Sequence, residues 1–193
     1  LPAEITSQAP ADGYTLMLQG GSFWLAPLMQ EVRYDVLRNF EPITLATRSP
    51  NVLVVNPGLK VNTAKDFIAL ARSKPGAFAY GSSGIGSASH LSTELFQLMT
   101  NLKLVHIPYK GQSLAMVDLI SGQLQFGFPS VPASIQHIKS GKMIALGVAS
   151  KERASALPDV PTNENSAVPS TSGGGGGGGA ASRMSAMCMR LPN

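Results

Sequence analysis

From residue 51 to residue 149 the apolar positions of the chain switch repeatedly between two spacings. Aliphatic and β-branched runs at Asn51 to Val55, Phe78 to Tyr80, Leu102 to Ile107, Leu124 to Phe128 and Met143 to Ala149 predict strands. Between them lie segments with apolar residues at helical spacing: Phe67, Leu70 and Ala71; Leu91, Leu95, Leu98 and Met99; Leu114 to Ile120; and the stretch after Pro132. Helix punctuation agrees. Thr63-Ala64-Lys65-Asp66 resembles a capping box, Pro75-Gly76 stops the first helix, Pro132 suits a first turn, and Gly122 and Gly141 follow helix ends. Strands and helices that alternate with short connections predict a mostly parallel α/β sheet with helices on both faces. Upstream, Thr15 to Leu18 predicts a short strand, Gln19-Gly20-Gly21-Ser22 a loop, and Leu25, Leu28 and Met29 a helix; Tyr34 to Pro42 reads as an irregular connection and Ile43 to Leu45 as a strand.

In such sheets ligands bind beyond the carboxyl ends of the strands. The segment Tyr80 to Met99 places a glycine/serine turn there. Gly81, Gly84 and Gly86 allow close backbone approach, and Ser82, Ser83, Ser87 and Ser89 add hydroxyls just before a helix that starts near His90. Free N–H groups and the positive end of the helix dipole suit a carboxylate or a phosphate. An ordinary strand-to-helix loop with serine caps is the competing reading. Nucleotide motifs fit poorly: Gly84-Ile85-Gly86 continues to Ser89 and not to a third glycine, and no Gly-Lys-Ser/Thr triplet follows. Other strand ends carry Gly20-Gly21-Ser22, Pro108 to Gln112, and Pro129-Ser130.

Composition narrows the classes. Of 193 residues 44% are hydrophobic and 13% charged, with a net charge of +4 and no basic run, which argues against nucleic-acid binding. No apolar run reaches a membrane-spanning length, and Leu1-Pro2-Ala3-Glu4 does not read as a signal peptide. The single cysteine, Cys188, excludes an internal disulfide and a cysteine metal cluster, and no metal or cofactor is expected. Seven consecutive glycines, Gly173 to Gly179, open a tail expected to be disordered or weakly helical from Ser170 onward. With no strand or helix to frame them, Met184, Met187 and Met189 read as compositional accident.

Several segments together resemble one family. They are Asp12-Gly13-Tyr14-Thr15-Leu16; Tyr34-Asp35 with Phe40 to Thr44; Asn51 to Pro57; Tyr80 to Gly86 with His90-Leu91; Val105 to Gly111; Gly141-Lys142; and Leu157 to Thr162. Across about residues 9 to 162 the chain resembles the substrate-binding proteins of tripartite tricarboxylate transporters, the Bug or TctC extracytoplasmic solute receptors. The resemblance implies a periplasmic-binding-protein type II fold: two α/β lobes joined by crossing strands, closing on a small organic acid and delivering it to membrane permease subunits in the periplasm. By that analogy 1–50 is a partial first lobe, 51–149 a complete second lobe with crossing strands at both ends, 150–169 a partial return to the first lobe, and 170–193 a glycine-rich tail. The first lobe would be incomplete, and a shortened or frame-shifted copy with a weakened site is the expectation. The ligand set implied is Ser82, Ser83, Gly84, Gly86, Ser87, His90 and Tyr109 of the second lobe, Ser22 of the first, and Pro129-Ser130 on the opposite wall.

Capture without catalysis is therefore the leading reading. A non-functional copy, or a signalling or interaction lobe, is the alternative. A serine hydrolase using Ser83 or Ser87 with His90 or His106 ranks lowest, because no acid is placed to orient a base. His90 is expected to cap or pack at its helix start, His106 to end a buried strand and His137 to face solvent. Lys110 reads equally as an anion contact or a solvated lysine. Tyr109 reads as packing beneath the loop slightly more readily than as stacking on a ligand.

Overall fold

The computed structural model of the chain describes residues 2–47, 49–162 and 185–190. The predicted return through 163–169, the glycine run and Met184 lie outside the described residues. The described residues fall into two compact units, one of 2–47 with 185–190 and one of 49–162.

The larger unit is built on five strands: β3 (Val52–Val55), β4 (Ala79–Ser82), β5 (Val105–Pro108), β6 (Phe126–Gly127) and β7 (Ile144–Val148), in the order β5-β4-β6-β3-β7. β4 runs parallel to β5 and β6, whereas β3 runs antiparallel to β6 and β7. The sheet is thus mixed and not mostly parallel as expected: two pairings are parallel and two antiparallel, because β3 runs reversed between β6 and β7. Four helices cover it: α3 (Ala64–Ser73), α4 (Ala88–Thr100), α5 (Gln112–Ser121) and α6 (Val131–Lys139). β3 shows why the sequence demands two covered faces. Its four residues are all buried, with Leu53 and Val55 in a cluster with Phe67, Phe96 and Phe126, and Val52 and Val54 in a second cluster with Ala115, Leu119 and Leu124. Strand side chains alternate faces, so an unbroken aliphatic run needs apolar cover on both.

Local chemistry fixes the helices. Asp66 N–H donates to Thr63 Oγ1 (3.1 Å), the cap half of the predicted box, while Asp66 Oδ2 accepts the Thr63 hydroxyl (2.7 Å) and not its backbone N–H. α4 corrects the predicted face. It buries Ser89, Ser92, Thr93, Phe96 and Thr100, while Leu98 is 77% and Met99 38% exposed. The buried threonines satisfy themselves: Thr93 donates to the Ser89 carbonyl (2.8 Å) and Thr100 to that of Phe96 (2.6 Å). Two strands are shorter than predicted. Leu102 and Leu124 are buried but lie outside the ladders, so apolar burial and strand pairing part company there.

The smaller unit holds α1 (Pro2–Gln8), which the apolar pattern does not predict, β1 (Leu16–Gln19), α2 (Gly21–Met29), β2 (Phe40–Thr47) and β8 (Ser185–Arg190). Phe23, Tyr34 and Phe40 form its aromatic centre, with Phe23 and Tyr34 stacked at 5.4 Å and Phe40 edge-on to Phe23 at 4.9 Å. α2 forms as predicted but buries only Phe23, leaving Leu28 81% exposed. β2 starts at Phe40 and absorbs Pro42, which the sequence places in an irregular connection; Pro42 sits on an edge strand beside a register shift, where a missing N–H is tolerated. The tail expectation fails at β8. This strand pairs antiparallel with β1 on one side and β2 on the other, so Met187, Cys188 and Met189 lie on a central strand. A ladder on each side overrides weak intrinsic preference.

Candidate functional site

The polar turn between β4 and α4 is shaped by Gly84 (φ 125°) and Gly86 (φ 75°), both in a region that L side chains rarely adopt. Ser87 caps α4 by accepting from His90 N–H (3.3 Å), so the helix begins at Ala88. Most N–H groups of the turn are engaged internally. Ser83 N–H donates to Ser89 Oγ (3.1 Å), Gly84 N–H to Ser82 Oγ (3.2 Å), Gly86 N–H to His90 Nδ1 (3.2 Å) and Ser87 N–H to the Gly84 carbonyl (3.2 Å). The donors expected at Gly84 and Gly86 therefore hold the loop itself. Among the described residues the N–H groups of Ile85, Ala88 and Ser89 are left without a partner.

Three hydroxyls form a chain. Ser89 Oγ lies 3.3 Å from Ser83 Oγ and 3.1 Å from Ser87 Oγ. Because Ser89 Oγ already accepts Ser83 N–H, it can accept one more donor and must give its own proton to the other serine. Two of the three hydroxyl protons are thus used within the chain. The third, on Ser83 or Ser87, is available to an outside acceptor. Ser83 is half-buried and Ser87 only 8% exposed, which favours Ser83.

Beneath the loop lies a layer that the sequence reading does not assemble. Ser82 is fully buried, with Oγ 2.7 Å from His106 Nε2. The His106 ring stacks between Tyr80 (4.9 Å) and His90 (4.2 Å). Tyr80 OH donates to Glu94 Oε1 (2.5 Å), and the same carboxylate oxygen lies 3.8 Å from His90 Nε2. Burial, and next the neighbouring His90, hold the His106 imidazole below its ordinary value, with Glu94 opposing. Burial, and then its bond to Glu94, push the Tyr80 phenol strongly upward. His90 packs at its helix start as expected. His106 lies half-buried on the edge strand β5 and does not end a buried strand.

The remaining candidates scatter. Tyr109 packs: its N–H donates to the Ser82 carbonyl (3.0 Å) and its hydroxyl to Asp118 Oδ2 (2.5 Å), a bond that leads the causes raising the phenol to about 12. Pro129 is buried, its carbonyl accepting Val52 N–H (2.9 Å). Ser130 precedes α6 without making a side-chain cap. Ser22 is half-buried in the first turn of α2, in the smaller unit. Lys110 is exposed, and His137 is half-buried, not fully solvent-facing. Sequence reasoning misses Asn51 and Ser92. Asn51 is 4% exposed, donates from Nδ2 to Ser92 Oγ (3.3 Å) and bridges to Ser130. Ser92 follows Ser89 by three residues and so shares its helix face, a signal that was present in the spacing.

A Ser–His contact exists, but not a hydrolase arrangement. Ser82 is inaccessible, and no described hydroxyl of Ser83 or Ser87 meets a histidine ring. Among the described residues no group of three or more His, Cys, Asp or Glu side chains gathers to hold a metal, and no helix is long and apolar enough to cross a membrane.

Residues 1–172 match the model of the tripartite tricarboxylate transporter family receptor, TctC. The chain belongs to this family. Among TctC relatives, the protein BugT of Bordetella pertussis is 40% identical over 162 residues, covering 82% of this chain and 50% of its own. The chain thus spans about half the length of the curated TctC relatives it matches. Its mixed α/β fold is that of periplasmic binding proteins. A solved periplasmic transporter superposes with a TM-score of 0.86 at 30% identity, covering 97% of this chain and 61% of that one. A protein of R. palustris solved with adipate gives 0.84 at 29% identity, over 97% of this chain and 61% of its own.

Proposed function

We propose that this TctC-family chain carries the acid-binding loop of an extracytoplasmic receptor, which captures a small carboxylate in the periplasm for permease subunits of a tripartite tricarboxylate transporter. The observation that carries the reading is the donor set left over at the helix start itself: the N–H groups of Ala88 and Ser89 and one hydroxyl proton of the Ser83–Ser89–Ser87 chain, with Ile85 N–H outside the helix end. Donors converging at the positive end of a helix match a carboxylate. The family and an adipate-bound relative support an organic acid over a phosphate. Residues 51–149 would form one lobe of the receptor and 1–50 part of the other. Ser83 and Ser87 touch the ligand in this reading, Ser82, Gly84, Gly86 and His90 hold the loop, and Ser130 supplies an outer contact. Tyr109 acts by packing.

Three bonds to a charged acceptor contribute about 1.5–3 kcal/mol each. Their sum of about 4–9 kcal/mol, before ordering costs, corresponds to millimolar to micromolar affinity. Titration of the ¹⁵N-labelled chain with adipate, succinate, citrate, glutamate and benzoate tests the assignment. Saturable amide shifts confined to 83–89 and their neighbours are expected with at least one acid. Failure of all five to move these amides would remove the reading.

A further inference from the structure

Ser82 Oγ meets three groups and has one proton to give. It lies 2.7 Å from His106 Nε2, accepts Gly84 N–H (3.2 Å) and lies 3.2 Å from the Gly84 carbonyl oxygen. When His106 Nε2 is bare, the hydroxyl donates to it. When Nε2 carries a proton, the imidazole donates to Ser82 Oγ and the hydroxyl turns to the Gly84 carbonyl. Both arrangements satisfy Ser82 Oγ, His106 Nε2 and the Gly84 N–H. We propose that Ser82 and His106 are a positioning pair for the ligand loop, in which the proton on His106 decides whether Ser82 holds the imidazole or the Gly84 carbonyl. The proposal rests on the reading that this loop binds a carboxylate.

Burial and the neighbouring His90 hold the His106 imidazole below its ordinary value, so the exchange falls toward the acid end of the imidazole range. His90 faces it from α4 at 4.2 Å, with Nδ1 accepting Gly86 N–H and Nε2 3.8 Å from Glu94 Oε1. Two stacked imidazoles do not both charge readily. Glu94, also on α4, favours the charge, and the Tyr80 phenol from β4 stays neutral while donating to Glu94. Protonation adds a second donor to the Gly84 carbonyl, which already accepts Ser87 N–H, and places a cation under the turn. Both effects favour a bound anion. By linkage a bound anion favours the proton equally, so acid capture is coupled to proton uptake at His106.

A pH titration of the ¹⁵N-labelled chain from about pH 8 to about pH 5, across the imidazole range, reads the pair directly. The His106 ring nitrogens report tautomer and protonation, and the Gly84 and Ser87 amides report the loop. We expect the neutral ring to be protonated on Nδ1 and the two amides to move with the His106 midpoint. Adipate affinity, taken as the ratio of the unsubstituted chain to His106→Gln so that the ligand's own titration cancels, should rise about tenfold toward acid, the equivalent of one pKa unit of coupling. Ser82→Ala should uncouple the Gly84 amide from the ring while leaving the ring titratable. If the Gly84 and Ser87 amides stay still while His106 titrates, the pair is refuted; that measurement needs no variant. If they move with His106 but adipate binds at no pH, the pair stands and the carboxylate reading fails.

Discussion

Gly81, the third residue of β4, is packed so closely that a methyl group decides the stability of the larger unit. A Cβ there would lie 2.6 Å from Leu124 Cδ1, 2.8 Å from Ala115 Cβ and 3.1 Å from Tyr109 Cε2. In Gly81→Ala two terms oppose each other. Reduced freedom of the unfolded chain favours alanine by about 0.4–1 kcal/mol. Overpacking disfavours it by about 1–3 kcal/mol. Leu124 and the Tyr109 ring can turn away, but Ala115 Cβ has no torsion to relieve the contact, so α5 itself must move. Overpacking therefore wins, with a net loss of about 1–2 kcal/mol. Ala115→Gly removes the immovable atom, and as a single variant it costs about 1 kcal/mol in helix preference. The double variant should be more stable than the sum of the singles by about 1 kcal/mol, as expected for touching residues. Urea unfolding followed by far-ultraviolet circular dichroism measures all four corners of the cycle. Gly81→Ala should lower the midpoint by roughly 0.5–1 M for a slope of about 2 kcal/mol/M. A midpoint that stays or rises in Gly81→Ala, or strict additivity in the double variant, would show the reasoning to be mistaken.

Phe67 is fully buried, 4.9 Å from the Phe126 ring and edge-on to Phe78 at 6.0 Å; Phe67→Ala should cost about 3–5 kcal/mol in the same assay, and a loss under about 1 kcal/mol would disprove its central place. Asn56 Nδ2 donates to the Leu119 carbonyl (2.8 Å) at the end of α5 while Oδ1 accepts Gly58 N–H (2.8 Å); Asn56→Ala should cost about 1–3 kcal/mol by orphaning these groups, and Asn56→Asp should not restore the Leu119 bond. Because the folded His106 value lies below the ordinary 6.5, the unfolded chain binds more protons between the two values; the resulting stability is fully present above 6.5 and lost as pH falls toward the folded value. Urea midpoints against pH should show that slope in the unsubstituted chain and a shallower one in His106→Gln. Tyr109 should ionise at about 12 in an ultraviolet titration, and Asp118→Asn should bring it down, since the Asp118 bond is the first cause of the rise.

The architecture was legible because it rests on periodicity. β3 reads as four consecutive aliphatics and is buried on both faces, and α3 carries its Thr63 cap and its Phe67 stripe where the pattern puts them. Where sequence and structure part, hydrogen bonding or distant pairing decides and hydrophobicity does not. α4 turns its serines and threonines inward because each hydroxyl finds a partner, which leaves Leu98 and Met99 outside. β8 could not be foreseen from a tail of small residues and methionines, since its pairing depends on β1 and β2 far away in sequence. Of the candidate site, the turn and its cap were visible in the glycine and serine spacing. The layer beneath was not, because His106 reaches Ser82 across 24 residues through the parallel pairing of β5 with β4.

That hidden layer changes what the glycines do. A glycine-rich turn read alone suggests a flexible cradle whose N–H groups wait for a ligand. Here the N–H groups of Gly84 and Gly86 are each tied to a side chain, Ser82 Oγ and His90 Nδ1, and those side chains are fixed by a ring stack. Glycine supplies the φ angles and the imidazoles and serines supply the rigidity. A turn held this way loses little conformational freedom when an acid arrives, which matters when only three donors carry the affinity. The same construction makes the loop sensitive to changes beneath it. Removing Ser82 frees Gly84 N–H, and removing His90 frees Gly86 N–H, so either change would convert a preformed site into one that must be ordered on binding. Such variants should lose affinity while Ser83, Ser87 and the helix start remain intact in sequence, a pattern that direct ligand contacts alone would not produce.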